Sequence, residues 1–197
     1  AGFSVLLLAG LSWRWVVWAG VAVAAAAPLI WQFVLEGYQR QRILTLFDPQ
    51  SDPLGAGWNI IQSTTAIGSG GLFGKGLFQG SQSYLEFLPE ARTDFIVAVL
   101  GEELGFVGVA FLLFMYLLII ARGLWLASQA GSTFGRLLAG AFVLTFFVYV
   151  FVNVAMVSGI LPVVGVPLPL VSYGGTSAIT LMAGFGVIMS VRTHKAW

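Results

Sequence analysis

Residues 95–121 read FIVAVLGEELGFVGVAFLLFMYLLIIA, an apolar stretch from Phe95 to Ala121 that carries charge only at Glu102 and Glu103. It exceeds the ~20 residues that take a helix across the ~30 Å hydrocarbon core of a bilayer. Val16–Val34, Leu137–Val157 and Leu168–Val191 are near or above the same length. Phe3–Gly10 is shorter and reads as the tail of a span cut off upstream, so an N-terminal part is expected to be missing. No basic segment precedes it, which argues against a signal peptide. The whole chain of 197 residues is 58% hydrophobic and 9% charged, with a mean hydropathy of +0.93. A soluble domain carries about 25% charged residues, so a water-soluble globule, a disordered segment and a nucleic-acid module are excluded. With no Cys and one His, His194, disulfide frameworks, thiol nucleophiles and Cys/His metal centres are excluded too. The net charge of +1 steers nothing.

Long apolar runs without period-2 alternation favour helices over barrel strands. The expected fold is an all-α integral membrane protein: a polytopic transmembrane helix bundle, one domain over residues 1–197, with a large, partly helical extracytoplasmic loop over 35–93. Small residues such as Ala139-Gly140-Ala141 allow close helix approach, and Pro28 is expected to kink its span. No internal repeat supports an inverted-repeat transporter. Arg14, the pair Arg122 and Arg136, and Arg192 with Lys195 flank short connections. The positive-inside rule places them on the cytoplasmic side, with 35–93 and the uncharged 158–167 outside.

The outer segment is too long for a simple connector. Tyr38–Phe47 suits an amphipathic turn or two at the headgroups. Asp48-Pro49 and Asp52-Pro53 mark turns, and Gly57–Ile67 reads as a short helix on or dipping into the membrane. Gly68–Gly76 (GSGGLFGKG) invites a phosphate-loop reading that fails on spacing. A P-loop with its lysine at Lys75 needs Gly at position 69 and Ser or Thr at 76, and the chain has Ser69 and Gly76. Two readings stay open: backbone N–H groups and Lys75 approach an anionic group, or a glycine turn carries a solvated lysine.

Leu88–Glu103 (LPEARTDFIVAVLGEE) is the sharpest constellation. Thr93 or Asp94 caps the following helix in one reading; in the other, Asp94 is a carboxylate at the membrane mouth poised to take a proton. Glu90 and Arg92 pair with it, tune it or face water. Glu102 and Glu103 lie ~12–14 Å deeper on the same helix, too far for a glycosidase-type pair with Asp94. At that depth they must face protein or water. Pro162, Pro167 and Pro169 predict an irregular lead-in to the last span, and Ser172, Tyr173, Gly174 and Gly175 serve helix packing or substrate contact.

Five blocks, in one unbroken order, carry a resemblance: Asp52-Pro53-Leu54-Gly55 with Gln62-Ser63; Gly68-Ser69-Gly70-Gly71 with Gly74-Lys75-Gly76; Phe87-Leu88-Pro89-Glu90 with Thr93-Asp94-Phe95-Ile96; Glu102-Glu103-Leu104-Gly105; and Pro167-Leu168-Pro169-Leu170-Val171-Ser172-Tyr173-Gly174-Gly175. The chain resembles the SEDS proteins (shape, elongation, division, sporulation) over nearly its whole length, as their C-terminal half. Gly165-Val166-Pro167-Leu168-Pro169 is most similar to the rod-shape branch.

The resemblance implies a peptidoglycan glycosyltransferase of the bacterial inner membrane that polymerises undecaprenyl-linked lipid II for cell elongation. It implies Asp94 as general base on the acceptor GlcNAc 4-hydroxyl. Lys75, Glu90, Arg92, Ser172, Tyr173, Gly174 and Gly175 would be substrate-binding. Positive charge for the departing diphosphate would come from Lys75, Arg92 or a divalent cation, Mg or Mn; the chain itself offers no metal site. A class B penicillin-binding protein, an elongation-type transpeptidase, is the implied partner, alongside membrane lipids and no nucleic acid. The alternative is a lipid II flippase in which Glu102 and Glu103 line a polar path; a scaffold that only recruits its partner would explain the spans but not the charged blocks.

Overall fold

The computed structural model describes residues 5, 12–52, 55–80 and 93–193, the side chains of 192 and 193 apart. The described residues form helices and no strand. Helix α1 (Trp13–Leu29) passes into a π-helical turn, Ile30–Val34. Pro28 has no N–H to donate, and the ladder widens directly after it, one of the usual causes of a helix distortion. Helix α2 (Gly37–Phe47) is the expected interfacial segment, opened by the Glu36 N–H donating to Gln39 Oε1 at 3.1 Å. A 3₁₀ turn at Pro49–Ser51 leads to α3 (Ala56–Gly70), whose first turn is held by Asp52 Oδ2 accepting from the Ala56 N–H at 3.0 Å.

Three long helices complete the fold: α4 (Ile96–Ser128), α5 (Thr133–Val157) and α6 (Gly175–Thr193). Three described helices are long and apolar enough to cross a membrane: 13–34, α4 and α5. The last span differs from the expectation of Leu168–Val191, since helix begins only at Gly175. Pro167 and Pro169 disfavour helical backbone at the residues before them, and Leu170 has a φ of 67°, outside the helical region. Of Phe3–Gly10 only Val5 is described, and it is helical.

The connection between α4 and α5 is short, so the two run antiparallel, and Ala139, Gly140 and Ala141 of α5 are all buried. Arg122 and Arg136 lie at that end; Arg122 stacks 4.2 Å over the Trp125 ring. The main core lies at the opposite end, where Ala66 of α3, Phe95, Val97, Ala98 and Tyr116 meet Phe146, Val150 and Met156 of α5 and Leu168. None of the residues of α1 is buried.

Helix α3 runs down beside the start of α4. Ser63 Oγ donates to the Val157 carbonyl at 3.0 Å, and Gly70 lies against Gly101. It therefore packs against the bundle along its length. At its foot α4 is broken: Gly105 has φ 68° and ψ −166°, a region essentially reserved for glycine. The loop after α3 fills the break. Lys75 and Gly76 N–H donate to the carbonyls of Glu102 and Glu103, both at 3.0 Å. Phe106 and Val107 N–H donate to Gly71 and Leu72, at 2.9 and 3.1 Å. A Cβ on Gly105 would stand 2.3 Å from the Gly74 nitrogen, and one on Gly74 would stand 2.1 Å from the Glu103 carbonyl oxygen.

Gly105→Ala is expected to cost about 2–6 kcal/mol, from backbone strain of ~1–3 and overpacking of ~1–3. Thermal unfolding of the detergent-solubilised full-length protein checks this, and an unchanged melting temperature would show that the break is not held as described.

Candidate active site

Asp94 occupies the turn immediately before α4 and is half-buried. The N-cap position of α4 belongs to Phe95, not to Thr93 or Asp94, and no side chain caps it. The surroundings of Asp94 are built by distant parts of the chain. Its carbonyl accepts a hydrogen bond from Asn153 Nδ2 of α5 at 2.9 Å, and the same nitrogen donates to the Val166 carbonyl at 2.7 Å. The neighbouring Thr93 carbonyl accepts from Ser172 Oγ, which in turn accepts from the Leu168 N–H at 2.8 Å. Tyr116 donates its hydroxyl proton to the Pro169 carbonyl. The segment leading into α6 is thereby fastened to the start of α4, next to the Asp94 carboxylate.

Of the other expected site residues, Ser172 comes to this place, and Tyr173 points away, 83% exposed. Gly174 accepts from the Ala178 N–H and from Ser177 Oγ, at 3.0 and 2.8 Å, and so closes the first turn of α6. Gly175 opens that helix with no atom within 4 Å of a would-be Cβ. Glu90 and Arg92 lie outside the described residues, as do Pro53, Leu54, 81–89, His194 and Lys195.

Lys75 finds an anionic partner within the chain itself. Its Nζ lies 2.6 Å from Glu102 Oε1, and Glu102 is fully buried while Lys75 is 31% exposed. Within the glycine stretch the N–H groups of Lys75 and Gly76 are spent on the α4 break and that of Gly74 on the Gly70 carbonyl, and the lysine neutralises a carboxylate that the membrane would otherwise penalise. Among the described residues no group of three or more His, Cys, Asp or Glu side chains is placed to hold a metal ion. An apolar groove of about 560 Å³ runs between α5 and α6, past Phe142, Phe146, Pro167 and Pro169. It has no carboxylate or ammonium in its lining.

Asn153 went unnoticed in the sequence. The signal was there, as an amide set in the apolar run Val150–Val157, where an uncompensated polar group is costly. Its partners lie 59 and 13 residues away, so no local pattern identifies them.

The family model of the FtsW, RodA and SpoVE cell cycle proteins matches residues 1–196. The chain is 64% identical over 195 residues to the peptidoglycan glycosyltransferase MrdB of Escherichia coli K12, covering 99% of this chain and 53% of that protein. It is 43% identical over 175 residues to the peptidoglycan glycosyltransferase RodA of Treponema pallidum, covering 89% of this chain and 40% of that protein. The chain thus spans about half the length of the curated relatives it matches. A chain solved in a peptidoglycan synthase complex that coordinates polymerization and crosslinking superposes with a TM-score of 0.80. It is 34% identical, and the similarity covers 97% of this chain and 52% of that one.

Breaking a buried ion pair at one partner costs about 3–5 kcal/mol. The 31% exposure of Lys75 puts Lys75→Met at the lower end of that range, because solvent screens part of the pair. Lys75→Met with Glu102→Gln is expected to regain part of the loss, since no buried charge is then left alone. Unfolding of the wild type and the two variants tests it; a single variant as stable as wild type would release Lys75 from its structural part.

Proposed function

This chain belongs to the FtsW, RodA and SpoVE family of cell cycle proteins, and from that premise we propose that the protein it comes from is a peptidoglycan glycosyltransferase acting on lipid II at the outer face of the bacterial inner membrane. The names of the relatives support the activity. The observation that carries the chemistry is the half-buried Asp94 at the end of the bundle away from Arg122 and Arg136. By the positive-inside rule that end is extracytoplasmic.

Asp94 takes the proton of the acceptor GlcNAc 4-hydroxyl as its oxygen bonds to the donor's anomeric carbon. The bond from that carbon to the diphosphate breaks, and undecaprenyl diphosphate leaves with the electron pair. Diphosphate is a good leaving group without a strong general acid, so one positioned base is the minimum requirement. Positive charge for the leaving group is assigned to Arg92, two positions from Asp94 in the sequence, because Lys75 is already matched by Glu102. The described residues provide no ligand set for a resident Mg or Mn. Ser172 acts in this reading by holding the Asp94 region, with Tyr173 turned toward the surroundings. The flippase alternative needs Glu102 on an open polar path, and the burial of Glu102 under Lys75 argues for the transferase.

The partner in this reading is a class B penicillin-binding protein, which would crosslink the new strands. The structural likeness to a chain of a peptidoglycan synthase complex supports it.

In full-length protein purified with its transpeptidase, Asp94→Asn is expected to lower lipid II polymerisation at least about 10²-fold, the scale of a lost general base. Glycan-strand gels measure it, and equal strands from wild type and variant would remove Asp94 as the base. For orientation, Gln50→Cys should react with an impermeant thiol reagent added to intact cells after outer-membrane permeabilisation, and Gly131→Cys should not; the reverse pattern would invert the topology.

A further inference from the structure

Asn153 is fully buried, and one nitrogen of its amide makes both of its contacts, to the carbonyls of Asp94 and Val166. Its Oδ1, equally buried, has no partner among the described residues. Such an arrangement leaves a desolvated acceptor in place, which helix packing alone would remove by substituting an apolar side chain. What the amide does achieve is to draw the peptide of Asp94 onto the segment 163–172. Beside Asp94, in the same segment that Asn153 binds at Val166, lies Gly165, with φ 77°, and a Cβ there would stand 3.2 Å from Asp94 Oδ2. The carboxylate therefore sits beside a backbone position that carries no side chain, while its own residue's carbonyl is held by the Asn153 amide.

We infer that Asn153 is a positioning residue for the Asp94 carboxylate, with Gly165 leaving the space into which that carboxylate is set. The inference rests on Asp94 being the base of the proposed reaction. A general base must come within about 2.6–3.2 Å of the oxygen it deprotonates, and a displacement of ~1 Å costs on the order of 10²-fold in rate. Neither residue touches the sugar; both act through the placement of Asp94. Asn suits position 153 because a short side chain must present N–H to two carbonyls at once. Asp would present only acceptors to them, and Leu would leave both without this donor.

The test uses the full-length protein with its transpeptidase, measuring lipid II polymerisation over a range of lipid II concentrations beside the melting temperature of each preparation. Asn153→Ala is expected to lower kcat about 10–100-fold, per folded molecule, with KM for lipid II within about twofold of wild type. Gly165→Ala, which crowds the carboxylate directly, should lower kcat with KM held in the same way. Should Asn153→Ala fail to fold, Asn153→Ser, which keeps one donor, is judged by the same criterion. Activity that falls only in proportion to the folded fraction, or a loss confined to KM, overturns the positioning role. The two readings fail separately. Full activity in Asp94→Asn sinks the assignment of the base, whereas a dead Asp94→Asn beside an unaltered kcat in Asn153→Ala sinks only this one.

Discussion

Where α4 breaks at Gly105, its Glu102 and Glu103 carbonyls and its Phe106 and Val107 N–H groups lose one another as partners, and the loop 71–76 takes up all four. In hydrocarbon an unpaired backbone group costs several kcal/mol, so a break at membrane depth survives only when protein fills it. That constraint explains why the loop after α3 must be glycine-rich: backbone has to approach backbone, and Gly74 and Gly105 stand where any Cβ would strike it. It also explains why α3 runs beside the start of α4, because its foot has to reach the level of Glu102.

The same exchange places Lys75 beside Glu102. The ion pair follows from the backbone stitching, which brings residue 75 to residue 102, and it makes the charge of Glu102 tolerable at that depth. A broken helix, the helix packed beside it and a buried ion pair are thus three views of one joint. The joint fixes the first turns of α4 in direction, and Asp94 stands at their head.

From the other side, α5 and the proline-rich segment fasten that head. Asn153, Ser172 and Tyr116 each bind a carbonyl that no regular ladder satisfies, those of Asp94, Val166, Thr93 and Pro169. A chain leaving helical geometry inside a membrane protein needs such side-chain donors. Here they converge on the residue that the proposed chemistry requires, so structural satisfaction and placement of the base use the same bonds.

Hydropathy and charge placement determined the class of fold, the positions of α1, α4 and α5 and the helical character of Tyr38–Phe47, because bilayer thickness and the basic flanks act on local sequence. Asp94 was legible as a carboxylate at the mouth of a span, and Glu102 as a charge in need of company. Tertiary structure alone decided that the company is Lys75 and that the loop after α3 seals the break in α4. It also decided that Asn153 holds Asp94. The reason is the same in each case: these are contacts between segments 13 to 94 residues apart, and their energies depend on distances that no periodicity along the chain encodes.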